Sequence, residues 1–240
     1  LAHQGRVVEA EAEIREVLEE AIGLGGKTSP EIGRTLSDFG QVLLLQGRLE
    51  DAKKMALAGI RNLEASGISH DSLRYYWARG SLSNIYVANG DFMEAMEQYD
   101  VIMDLIVQNK NQHILNRLER NPCFILSLFK TGRLNEAVKY INKNLTSDNE
   151  YWGSKKYHIA EMLGLRGMAC SLMGNDEEAM KAFSSSIPIL LKKKADVSDY
   201  LKSQRLKVIV EAYLNLLARV HDRSQEEAFH IDASAEIFKI

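Results

Sequence analysis

The chain has 240 residues, 45% of them hydrophobic and 26% charged, which is enough apolar material for a continuous core and too much for a disordered chain. Thirty basic against 33 acidic residues leave a net charge of -3, so no basic excess exists to release counterions from DNA or RNA, and nucleic acid is not an expected partner. Three prolines argue against a many-turned β-sandwich, two cysteines cannot make a disulfide framework or a zinc site, and no apolar run approaches the ~18 residues of a membrane span.

The first element in chain order is an amphipathic helix marked by Val7, Ala10, Ile14, Val17, Leu18 and Ala21. It enters a stretch in which Ala21, Gly26, Lys27 and Thr28 satisfy a relaxed phosphate-loop pattern. That chemistry needs a strand entering the loop and an Asp-tipped strand for magnesium, and neither is present. The simpler reading is an inter-repeat loop ahead of Ser29-Pro30, an N-cap followed by a favoured first helical residue. A nucleotide-dependent switch or enzyme at 21–28 remains the alternative to a pure scaffold.

Leu36, Phe39, Leu43 and Leu44 then mark a helix that ends at Gly47, and Ala52, Met55, Ala56 and Ile60 mark a second one after it. Asp71 is the candidate cap of the next pair, with Leu82, Ile85 and Tyr86 before Gly90 and Ala95, Tyr99, Ile102 and Met103 after it. Phe124, Leu126 and Leu128 precede Gly132. Pro122 is expected to start that helix or kink it near Leu118, because an interior proline removes a donor and clashes with the preceding turn. Ser147 or Asp148 is the next candidate cap, and Leu163, Leu165 and Met168 precede Gly174. Lys192-Lys193-Lys194 follow a helix whose C-terminal dipole they complement. Lys202 to Val220 forms one more long first helix with no hinge glycine behind it. His221 to Phe229 reads as a loop, and a helix restarts after Asp232.

Five copies of one string organise these elements: Gly, any residue, a large residue, any, an acid, then Ala. They start at Gly5, Gly47, Gly90, Gly132 and Gly174, in steps of 42, 43, 42 and 42 residues; in the last copy Asp176 stands at the large position. Each part has a physical reason. Glycine supplies the positive φ of a helix C-cap, and the acid sits where the next helix dipole favours negative charge. Alanine (Ala10, Ala52, Ala95, Ala137, Ala179) lets two helix backbones approach. Ala95 and its two internal equivalents are expected to be the most buried. Gly40, Ser83 and Gly167 place small residues opposite, with Ile125 the exception.

Helix-turn-helix units with this Gly, acid and Ala placement resemble the tetratricopeptide repeat over roughly residues 5 to 220. The 42-residue period exceeds the usual ~34 by about a turn per helix or by longer linkers. In that respect the units look like the repeats of kinesin light chains and of many bacterial proteins. The resemblance implies an all-α, right-handed α-solenoid of stacked antiparallel helix pairs, one repeat array over 1–240. The ending, through Glu211-Ala212-Tyr213-Leu214, Leu217-Ala218-Arg219, Asp232-Ala233, Ala235-Glu236 and Phe238, resembles the segment leading into the caspase-like CHAT peptidase domain of bacterial repeat proteins. Leu1 is not a methionine and Ile240 closes an amphipathic stretch, so the chain reads as a piece of a longer cytoplasmic protein.

The same resemblance directs attention to the concave face, where positions 13, 10 and 6 before each hinge glycine point inward. Carried over, these are Arg34, Ser37 and Gln41; Trp77, Gly80 and Asn84; Glu119, Pro122 and Leu126; Glu161, Gly164 and Met168. The expected partner-binding set is Arg34, Gln41, Trp77, Asn84, Glu119, Leu126 and Met168. Trp77 beside Gly80 and Asn84 offers an aromatic face, a gap and an amide, although Trp77 could equally fill the seam between first helices. Pro122, Leu126 and Phe129 make the fourth repeat apolar, as an anchor pocket or as a contact to a neighbouring domain. The implied function is a protein or peptide scaffold, regulating an attached C-terminal effector. No catalytic residue, cofactor or metal is expected, since the six histidines show no ligand or triad spacing.

Overall fold

The computed structural model describes residues 6–25, 28–146, 156–192 and 200–237, with side chains in the last stretch through 223. All regular structure among them is helical. The helices are α1 (Val7–Gly25), α2 (Pro30–Leu45), α3 (Leu49–Ala65), α4 (Leu73–Asn89), α5 (Phe92–Asn109), α6 (Gln112–Leu118), α7 (Pro122–Lys130), α8 (Leu134–Thr146), α9 (Lys156–Leu172), α10 (Asp176–Lys192) and α11 (Tyr200–Ile237). None is long and apolar enough to cross a membrane.

The hinges repeat one local solution four times. Gly47, Gly90, Gly132 and Gly174 adopt φ of 76°, 89°, 80° and 76°, a region that an L side chain reaches only with strain. In each case the next amide donates to the carbonyl four residues before the glycine. Arg48 reaches Leu43 at 2.9 Å, Asp91 reaches Tyr86 at 2.9 Å, Arg133 reaches Leu128 at 2.8 Å and Asn175 reaches Cys170 at 2.9 Å. This closure satisfies carbonyls that a helix end would otherwise leave unpaired. Gly5 lies outside the described residues.

Behind each hinge the alanine is sealed. Ala52, Ala95, Ala137 and Ala179 have no exposed surface, and Ala10 retains 8%. Ala179 is thus as deep as the internal three, deeper than the sequence reading placed it. The small residues opposite permit the close approach: a Cβ on Gly40 would lie 3.0 Å from the Ala52 carbonyl oxygen. On Gly167 it would meet the Phe183 ring at 2.9 Å. Helices of 16 to 18 residues in α2 to α5 account for the long period.

Start signals act locally. Ser29 accepts from the Ile32 amide at 3.2 Å, with Pro30 as the first helical residue. The cap of α4 is Ser72, which accepts from the Tyr75 amide, and not Asp71. Pro122 divides what would have been one helix: α6 stops at Leu118, and α7 begins at Pro122 with Asn121 accepting from the Cys123 amide at 2.9 Å. The expected loop over His221 to Phe229 is instead helix. From Tyr200 to Ile237 the chain contains no glycine or proline, so nothing interrupts the backbone ladder of α11. Gly26, Lys27, Ser147, Asp148, Lys193 and Lys194 lie outside the described residues.

The chain divides into two compact units. The first comprises Leu1–Ser147 with Lys193–Arg205, and the second Asp148–Lys192 with Leu206–Ile240. In the first, helices α1 to α8 pack on neighbours along the chain, and the first turn of α11 joins them: the Tyr200 ring lies 3.2 Å from where a Cβ on Gly47 would be. In the second, α9 and α10 form a pair against which α11 packs through Ile209 at Gly164 and Tyr213 at the Phe183 ring. Arg219 and Arg223 both hold the Asp176 carboxylate.

Candidate functional site

Two-turn spacing on the first helices of the second and third repeats builds the site. Arg34 and Gln41 on α2, and Trp77 and Asn84 on α4, each lie seven residues apart, so each pair shares one helix face. All four line one cavity of about 570 Å³ in the first unit, within the ~300–1,000 Å³ usual for ligand sites. Its floor is apolar, with Val42, Ile102 and Ile114 among the lining residues, and the α4 wall carries Tyr76 beside Trp77. Trp77 is 51% exposed, so it faces the cavity and is not sealed in a helix seam.

Polar groups on the wall are half committed. Gln41 donates through Nε2 to the Ser81 carbonyl at 3.2 Å, which leaves its Oε1 as an acceptor. Asn84 accepts through Oδ1 from the Tyr99 hydroxyl at 3.3 Å, which leaves its NH₂ as a donor. Tyr99 is fully buried and also receives the Asn121 amide at 3.4 Å. Burial pushes its phenol well above the usual range, so it serves as a fixed neutral brace for Asn84.

Three arginines reach the same cavity. Arg34 pairs with Asp38 at 3.1 Å and Arg74 with Glu31 at 3.0 Å. Asp38 is the carboxylate of the lining, and its burial pushes its pKa up against the pull of Arg34. Arg117, from α6, lies over the Trp77 ring at 4.1 Å from its centroid. No carboxylate among the described residues lies within ion-pairing distance of Arg117.

Arg74 and Arg117 were missed from sequence. Arg74 continues the stripe of Trp77 and Asn84 by one turn toward the start of α4, and extending that stripe would have found it. Arg117 lies in α6, which only the break at Pro122 sets apart. Its signal was the Ile114, Arg117, Leu118 spacing just ahead of that proline.

The other three expected positions do not open into this groove. Glu119 is the C-cap of α6, only 7% exposed, paired with Lys143 and with its carbonyl accepting from Asn144 at 2.8 Å. The break at Pro122 turned it toward α8. Leu126 is 2% exposed within α7, whose residues Cys123 to Phe129 are all buried. The α11 turn contributes to this: Arg205, itself buried, donates to the Cys123 sulfur at 3.4 Å. Met168 is buried in the second unit, where Ile209 occupies the space beside Gly164.

The phosphate-loop alternative finds no strand, since the 19-residue helix α1 enters the 21–28 segment. Among the described residues no group of His, Cys, Asp or Glu could hold a metal ion.

Residues 1–65 match the tetratricopeptide repeat family. No curated protein matches the chain. Among solved structures, the nearly identical TPR-like repeats assigned to a kinesin light chain of Podosopora anserina superpose with a TM-score of 0.58 at 15% identity, covering 81% of this chain and 92% of that one. A single-residue variant of the same repeats gives 0.59 at 16% identity, with 80% and 91% covered. With its hinges, sealed alanines and helix pairs, the chain has the fold of tetratricopeptide-type repeats, and its sequence match to that family lies in residues 1–65.

Proposed function

We propose that the chain is a scaffold that binds a protein or peptide in the groove of its second and third repeats and performs no chemistry itself. The observation that carries this reading is Trp77, a large aromatic left half-exposed on the wall of a cavity whose neighbouring amides each keep one unused group. Buried aromatic anchors of this kind dominate interface energetics once a partner covers them. The resemblance of the last helix to the lead-in of a CHAT peptidase domain extends the reading: the scaffold regulates an attached effector, which serves as the partner or is released by it. Selecting displayed random peptides on the immobilised chain tests the groove. Selected peptides should bind Trp77→Ala at least roughly tenfold more weakly, with the melting midpoint nearly unchanged. Peptides that bind both proteins alike would place the site elsewhere and overturn the reading.

A further inference from the structure

We infer that the hinge of the third repeat modifies itself: the Gly90 backbone nitrogen attacks the Asn89 side-chain amide, and water opens the resulting cyclic imide to aspartate or isoaspartate. Sequence is the first observation. Asn89-Gly90 is the only Asn-Gly pair in the chain, and it stands at a hinge. The glycines of the other described hinges follow Gln46, Thr131 and Met173. Glutamine closes a larger, less favoured ring, and threonine and methionine offer no amide at all. Glycine matters at the following position because it has no Cβ to crowd the attacking nitrogen.

Geometry is the second observation. Asn89 and Gly90 are both exposed, and nothing lies within 4 Å of where a Cβ on Gly90 would be, so water reaches both. The Asn89 Nδ2 donates to the Asp91 carboxylate at 2.8 Å, which turns the side chain forward over the hinge. The Gly90 N–H donates to the Val87 carbonyl at 3.2 Å in the last turn of α4, and fraying of that one helix end releases it while the rest stays folded. In the reaction the bond from the Gly90 nitrogen to the Asn89 Cγ forms, the Cγ–Nδ2 bond breaks, and ammonia leaves with the proton displaced from Gly90. Water then adds to one imide carbonyl. Opening at Cγ gives aspartate, and opening at the backbone carbonyl gives isoaspartate. Either product sets a negative charge at the C-terminus of α4, where the helix dipole opposes it, and beside the Asp91 carboxylate. Isoaspartate also adds a methylene to the backbone, which displaces the Asp91 N–H from the Tyr86 carbonyl that it meets at 2.9 Å.

Ageing the folded chain in heavy-oxygen water at physiological temperature, with mass mapping of its peptides, tests this. Position 89, located by fragment masses, should take up one heavy oxygen and split into two isomers. It should do so at least roughly tenfold faster than any asparagine that precedes another residue type. The rate should rise with pH, because the attacking nitrogen has to lose its proton. Asn89→Gln keeps an amide at the hinge, so it should stay unmodified and hold its melting midpoint while that of the parent falls with age. Asp91→Ala should convert several-fold more slowly, and an equal rate would overturn the positioning role of Asp91. Conversion seen only in urea would mean that the folded hinge protects Asn89, and the inference would fail. Equal conversion at asparagines without a following glycine would sink it as well.

Discussion

The second and third repeats and the fourth were built to one register, yet their inward positions meet opposite fates. Trp77, thirteen residues before Gly90, is 51% exposed at an open cavity, while Glu119, thirteen before Gly132, is 7% exposed and Leu126, six before it, 2%. The difference comes from two non-periodic events. Pro122 cuts the first helix of the fourth repeat in two, and the turn Tyr200–Arg205 brings a buried arginine against the remaining half. In the second unit Ile209 does the same to the inward face of α9. A repeat position therefore states which way a side chain starts out, and distant segments decide whether it ends in solvent.

The contrast breaks most visibly at Leu126. Leu126→Ala should cost about 2–5 kcal/mol in denaturant unfolding, because a sealed site cannot collapse around the lost methyls. It should leave binding of the peptides selected on the parent chain unchanged per folded molecule. Trp77→Ala should show the reverse pattern. If both variants lose stability alike, the open and closed halves are not distinct.

Ala95→Leu probes the scaffold beneath the open half. The residue has no exposed surface and packs where two helices meet, so overpacking should cost roughly 1–3 kcal/mol. An unchanged unfolding midpoint would show that the repeat register is misassigned.

A smaller effect is expected from Glu11, which ties α1 to the first described hinge. It accepts from Arg15 at 2.7 Å, Gln46 at 2.8 Å and Arg48 at 3.1 Å, and these hydrogen bonds, Arg15 first, lower its pKa from 4.5 to about 2. A carboxyl with a depressed folded pKa contributes stability above its unfolded value and loses it as pH falls through the folded one. The stability advantage over Glu11→Gln should thus be full above pH 4.5 and gone near pH 2 by thermal melting. An advantage that persists at low pH would mean the hydrogen bonds do not depend on charge.

Asp38→Asn should give the smallest change. It removes the carboxylate from the lining and frees Arg34, so those selected peptides that carry a carboxylate should bind a few-fold tighter at neutral pH. Weaker binding would indicate that Asp38 orients Arg34 for the ligand.

The fold was legible because its determinants are local. A glycine at positive φ, an acid in the next turn and a sealed alanine recur within six residues, and each acts through its own backbone. Half of the candidate groove was legible for the same reason: Arg34 with Gln41, and Trp77 with Asn84, depend only on helical spacing. Glu119, Leu126 and Met168 were misplaced because they depend on Pro122 breaking a helix and on α11 reaching back, and neither appears as a period. Arg117 was missed because α6, ahead of Pro122, lies beyond the inward positions counted back from Gly132.

The turn at Tyr200–Arg205 has a consequence for the order in which the molecule is made. Contacts among α1 to α8 join elements close together along the chain, so they close short loops and can form as soon as their residues exist. Tyr200 against Gly47 closes a loop of about 150 residues and can form only after α9 and α10 have been synthesised. At about 5–20 residues per second, the interval between completing α8 and adding Arg205 is on the order of 3–12 s. During that time on the ribosome the groove walls of the second and third repeats are complete while the face of α7 still lacks Arg205. The walls around Trp77 are therefore in place before Arg205 can reach Cys123.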